Sequence, residues 1–447
     1  MTKTKAAAAL ALAGLLAGTA PAAGGQEPVR SGLGFTAEEF RLRNGLRVVL
    51  SVDARLPLVT VAVGYGAGTI RERPGQEGLA FLIENLMFQG SENVGPLQHI
   101  KFVQKVGGEL NATTTVDKAL FYETLPSNYL ALALWLESDR MKSLAITSAA
   151  IERTRDELVQ EHRERLAGDP YLASFAEFDA LLYPDFAYGH PLIGRGEGMM
   201  ALTREDVEAF HRAHYVPNNA VLAIVGNIDP VRTRELVARY FDSIPPGPDV
   251  PAPALPGFKR ESDALVRFFP ISGPTAGFHM GFRFHPLLPG EIDVLRILEY
   301  LLFVGDGSRV KHRLLRRDRT SHHLSVVLEE RLKVAALKVF SLNTNADLVA
   351  RAERALLGEI DKLRTNTISR DELEKAGRRF KLDYLDRLAT LRDRAIFLVD
   401  AAFDGRSLAA LDEDLENALR VEPQAILAFV ARYFTPQNRV VLEFGPK

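Results

Sequence analysis

At 447 residues, with 47% hydrophobic and 25% charged residues, the chain has an ordinary globular composition and room for two or more cored domains. A formal net charge of -2 supplies no basic field, which excludes nucleic acid and an anionic membrane surface as expected partners. The absence of cysteine excludes disulfides, thiolate metal ligands, a cysteine nucleophile and a lipid anchor on cysteine.

The N-terminus reads Met1-Thr2-Lys3-Thr4-Lys5, then an apolar run from Ala6 to Ala20, then the small-residue pattern Ala20-Pro21-Ala22. Residues 1–23 therefore read as a secretory signal, the run being shorter than the roughly 20 residues a bilayer core needs. The mature chain is expected to be exported, without an integral membrane segment, to the periplasm of a Gram-negative bacterium. A cysteine-free chain there depends on its core and not on crosslinks.

Phe40 to Leu50 alternates around Asn44-Gly45, which predicts a hairpin with a two-residue turn. Val59 to Val63 is a further strand, ending in Gly64-Tyr65-Gly66-Ala67-Gly68. No Gly-Lys-Ser/Thr follows, so that cluster predicts a closely packed turn and not a phosphate loop. Residues 75–90 and 96–107 predict helices, 109–125 a pair of strands and 126–142 a long helix.

Two later stretches repeat one another. Tyr215-Val-Pro217-Asn-Asn219 and the strand Val221 to Val225 are matched, 219 residues on, by Phe434-Thr-Pro436-Gln-Asn438 and the strand Val440 to Phe444. A second match pairs Thr147 with Ser369 and Glu152 with Glu374, at an offset of 222. One duplication accounts for both. Between the copies, residues 245–260 hold Pro245, Pro246, Pro248, Pro251, Pro253 and Pro256, an extended linker. The expected domains are 24–244 and 261–447, each α+β, with a mostly antiparallel sheet and helices packed on one side.

The chemistry centres on Gly78 to Gly90, a short apolar helix with a carboxylate in it. Phe81 and Asn85 are i and i+4, so they share a helix face, with Glu84 beside them. Histidines at 81 and 85 would make H-x-x-E-H, in which the glutamate is general base to a zinc-bound water. Here phenylalanine has no lone pair to offer, and an asparagine carbonyl is a weak zinc ligand.

The flanks Gly78-Leu79-Ala80 and Met87-Phe88-Gln89-Gly90-Ser91 resemble those of this motif in the pitrilysin/insulinase family of zinc peptidases. Gly107-Gly108-Glu109-Leu110-Asn111-Ala112-Thr113 resembles the family's strand at the cleft edge, and Glu157 to Arg163 resembles the segment of the third zinc ligand. The resemblance implies that Asn111, Ala112 and Thr113 hold substrate main chain and that Glu161 occupies the ligand position. Gly305 to Val326 resembles the segment in which an arginine and a tyrosine reach the substrate. Arg316 matches the arginine, and His323 or Leu324, depending on register, stands at the tyrosine position; with His323 an N–H donor survives.

The resemblance further implies two like-folded, processing-peptidase-like halves. It also implies a member whose zinc site has decayed: Glu84 a relic of the general base, Phe81, Asn85 and Glu161 the degenerate ligand positions, and no cofactor expected. Such a subunit would bind peptide and pair with an active zinc-peptidase homologue as a heterodimer. Two alternatives remain: an active metalloendopeptidase using zinc at an atypical site with Glu84 and Glu161, and a periplasmic homodimeric binding or scaffold protein. Elsewhere, His211 and His214 read as surface histidines, since no third ligand completes their face, and His190 reads as a turn residue.

Overall fold

The computed structural model describes residues 29–30, 33–184, 186–194, 197–251, 264–332, 334–365, 368–407 and 410–447. The signal at 1–23 and linker residues 252–260 lie outside the described residues.

Two sheets form. The first runs β1-β2-β3-β7-β4-β6-β5, from β1 (Val29–Arg30), β2 (Thr36–Arg41), β3 (Arg47–Val52), β4 (Leu58–Tyr65), β5 (Glu109–Thr114), β6 (Ala119–Pro126) and β7 (Ala220–Gly226). The second runs β10-β11-β9-β12-β8, from β8 (Ala264–Ile271), β9 (Gly277–Phe284), β10 (Ser321–Glu330), β11 (Ala335–Asn343) and β12 (Arg439–Pro446). Each sheet contains a single parallel pair, β3 with β7 and β8 with β12, and is otherwise antiparallel.

The order β3-β7-β4-β6-β5 is thus repeated, strand for strand, by β8-β12-β9-β11-β10. Register agrees as well: Gly64 lies opposite Val221, and Gly281 opposite Val440, the duplicated position. The helices follow suit. Thr147 caps the helix Ser148–Gly168 through the amide of Ala150, and Ser369 caps the helix Arg370–Asp386 through the amide of Glu372.

Alternation places two apolar faces on the first sheet. Val59, Val61, Val63, Phe121, Leu222 and Ile224 pack on the half's own helices, including Leu79–Leu86 and Leu130–Ser143. Ala62, Leu120, Val221, Ala223 and Val225 instead meet Ala395, Leu398 and Val399, from the helix Leu391–Phe403 of the second half. The exchange is reciprocal, because Phe178 and Leu182 of the helix Leu172–Leu182 pack on Val440 and Leu442 of the second sheet. Each crossing has a glycine beneath it. A Cβ on Gly64 would stand 2.5 Å from Val399 Cγ1, and one on Gly281 would stand 2.7 Å from the Phe178 ring.

One turn differs in detail from its sequence signal. The Asn44-Gly45 hairpin forms through a connection spanning residues 42–46, in which Gly45 alone has positive φ, 89°. The reason is that the Asn44 side chain is drawn inward, its Nδ2 donating to the carbonyls of Phe241 at 2.8 Å and Ile244 at 3.0 Å. The glycine cluster after β4 is the closely packed turn expected of it: a Cβ on Gly68 would lie 2.2 Å from the Val116 carbonyl oxygen. Among the described residues no helix is long and apolar enough to cross a membrane.

Candidate functional site

The helix Leu79–Leu86 buries Leu79, Ala80, Leu82, Ile83 and Leu86, which leaves Phe81, Glu84 and Asn85 along its partly open side. Its N-terminus is held by Glu72. That buried carboxylate accepts from the amides of Gly78 at 3.0 Å and Ala80 at 2.8 Å, and contacts His190 Nε2 at 2.8 Å. Burial pushes the Glu72 carboxyl up, against the pull of His190 and the two amides. The anchor also complements the positive end of the helix. His190 is therefore a turn residue with a defined task, while Glu72 carried no sequence signal beyond its charge.

Glu84 is half-buried, and burial raises its carboxyl above the usual range while neighbouring Thr114, at the end of β5, draws it down. Its Oε2 is buried without a hydrogen-bond partner. The Asn85 amide is engaged by its own helix, its Nδ2 donating to the Phe81 carbonyl oxygen at 2.9 Å. Phe81 packs against the first half's core.

Glu161 stands on the helix Ser148–Gly168, which packs against the site helix, but its side chain is 61% exposed and its cation, Arg165, is 3.9 Å away. Neither Glu84 nor Glu161 belongs to a set of three convergent metal-ligating side chains among the described residues. A catalytic zinc, with three protein ligands and one open position, does not fit this arrangement.

The expected substrate-binding residues fall on an edge. Strand β5 pairs with β6 alone, so among the described strands its outer backbone groups are unpaired, with Asn111 and Thr113 exposed and Ala112 half-buried along it. An open edge of this kind accepts an extended peptide through main-chain hydrogen bonds. Strand β10 is the corresponding edge of the second sheet. It carries His323, exposed and edge-on to the Phe340 ring at 5.8 Å, next to a register shift at Ser321/His323. Leu324 is half-buried against the second half's core. Arg316 lies in the π-helical turn His312–Arg317, is 66% exposed, and reaches Asp306 Oδ2 at 3.2 Å. Arg316 and Glu84 are thus placed by different halves.

One sequence reading is corrected here. His211 and His214 are not surface histidines: His211 stacks on Tyr215 at 5.3 Å, and His214 lies edge-on to Phe210 at 4.6 Å. Burial lowers both to about 4, so both rings are neutral. Their helix, Arg204–His214, turns this face to the core, which a two-histidine motif alone does not reveal.

Comparison with known proteins places these features in a common setting. Residues 47–193 match the family model described as Insulinase (Peptidase family M16), and residues 201–380 match the one described as Peptidase M16 inactive domain. Zinc protease PqqE of Helicobacter pylori is 24% identical over 372 residues, which is 81% of this chain and 82% of that protein. The crystal structure of a protease from Helicobacter pylori superposes with a TM-score of 0.84 at 22% identity, over 92% of this chain and 99% of that one. The periplasmic protease PqqL from Escherichia coli superposes with a TM-score of 0.77 at 16% identity, over 94% of this chain but only 48% of that one. This chain spans about half the length of that protein.

Proposed function

The chain belongs to the insulinase (M16) peptidase family, and from that premise we propose that it is an exported, non-catalytic subunit that binds peptide and partners an active zinc peptidase of the same family. The observation that carries this reading is the state of positions 81 and 85. One holds a side chain with no lone pair, the other spends its amide on its own helix, and Glu84 is left without a metal to act beside.

Three features support the binding role. The β5 edge with Asn111, Ala112 and Thr113 is open to an added strand. The matched inactive-domain model covers residues 201–380, within which Arg316 and His323 lie. The Escherichia coli neighbour, of which this chain covers 48%, is long enough to hold two units of this size in one chain, the arrangement proposed here between two subunits. In that arrangement the Arg316 guanidinium and the His323 ring would serve a substrate held at the partner's zinc. The Arg316 pair with Asp306 is open to solvent and is therefore cheap to break on docking.

The experiment is co-expression with an intact H-x-x-E-H homologue from the same source, followed by peptide hydrolysis. The mixed complex should cleave. Arg316→Ala in this chain should lower the rate on the order of a hundredfold, as loss of one positioned donor does, and Glu84→Gln in this chain should leave it unchanged. If Glu84→Gln abolishes cleavage and Arg316→Ala is silent, the chain is itself the peptidase. Homodimers with no affinity for the homologue would mark a scaffold protein instead.

A further inference from the structure

On the helical face of the first sheet, three side chains capable of holding a metal converge from three elements. His99 comes from the helix Gln98–Lys105, Glu123 from β6 and Glu137 from the helix Leu130–Ser143. One ligand atom of each lies within 4.8 Å of the other two, and all three residues are buried. None belongs to the Leu79–Leu86 helix.

The cluster is left incomplete by the protein's own groups. His99 Nε2 lies 3.0 Å from Glu123 Oε2, while Glu123 Oε1 is buried with no hydrogen-bond partner. Arg140 grips both oxygens of Glu137, through Nε at 3.0 Å and through Nη2, and its guanidinium lies over the Phe121 ring at 4.4 Å. Two carboxylates thus share one arginine. Glu123 has no cation of its own, and a buried carboxylate in that position must take a proton or a metal.

We propose that His99, Glu123 and Glu137 form a buried structural site for a first-row divalent cation, with zinc the best match to one imidazole and two carboxylates. Each ligand comes from a separate element, so an ion there would tie the Gln98–Lys105 and Leu130–Ser143 helices to β6, immediately behind the open strand β5. Arg140, bonded to both oxygens of Glu137, would act as the outer-shell group that orients that carboxylate. Its charge limits the affinity, and the Phe121 face offsets part of that repulsion.

The test uses the purified mature chain, stripped with EDTA, desalted and titrated with zinc chloride. One zinc per chain should be retained at pH 8, with a raised Tm. Glu123→Gln, which keeps the volume, and His99→Ala should abolish retention, whereas Glu84→Gln and Glu161→Gln should preserve it. A wild-type chain that retains no zinc at pH 8 overturns the proposal whatever the variants do. So does retention by Glu123→Gln, or loss on Glu84→Gln alone.

Discussion

Asn85 Nδ2 donates to the Phe81 carbonyl oxygen at 2.9 Å, so the two positions that would carry imidazoles in a working site are joined to each other. Replacing both with histidine removes that bond and leaves two rings one helical turn apart beside Glu84. In the Glu123→Gln background, stripped of metal, Phe81→His with Asn85→His should create zinc binding at one ion per chain, with Glu161 swinging in from solvent. Metal analysis after desalting measures it. A folded double variant that binds no zinc would show that this helix and Glu161 do not descend from a zinc site.

Gly64 and Gly281 should be intolerant of a side chain for the same reason. Each lies where a helix from the opposite half crosses its strand, and a methyl group would meet Val399 or Phe178 well inside contact distance. Gly64→Ala and Gly281→Ala should each destabilise the chain by about 1–3 kcal/mol through overpacking, seen as a lower urea midpoint. An unchanged midpoint in both would mean that the crossing helices do not seat as described.

Removing Glu72 should loosen the site helix. Glu72→Ala leaves the amides of Gly78 and Ala80 without their acceptor and His190 without its partner, a loss of about 1–3 kcal/mol. Hydrogen exchange at residues 78–82 should accelerate relative to the β7 amides. Equal protection in both proteins would contradict the anchor role.

His279 should cost the chain stability in acid. Burial holds its ring down at about 3 in the folded chain, so below pH 6.5 the unfolded chain alone takes up that proton and this contribution falls with falling pH. Between pH 7 and pH 5 the urea midpoint of the wild-type chain should therefore drop further than that of His279→Gln; equal drops in the two proteins would contradict this.

Much of the architecture was legible locally. The Tyr215 and Phe434 turns, the Thr147 and Ser369 caps and the glycine cluster after β4 are short-range signals, and each reports on a few neighbouring residues. The reciprocal crossing of Leu172–Leu182 and Leu391–Phe403 was not legible, because which sheet a helix covers depends on contacts more than a hundred residues away. Glu72 and His190, 118 residues apart, were invisible as a pair for the same reason. So were His99, Glu123 and Glu137, which share no motif spacing and meet only through the packing of two helices on β6. His211 and His214 were misplaced because their spacing was visible and the direction of their helix face was not.

The proposed non-catalytic subunit would have no peptidase activity of its own. The most direct test is peptide hydrolysis by the purified mature chain in zinc-containing buffer, side by side with the Glu84→Gln variant. A non-catalytic subunit gives equal, background rates for the two proteins. Zinc-dependent cleavage by the wild-type chain that Glu84→Gln abolishes would contradict it.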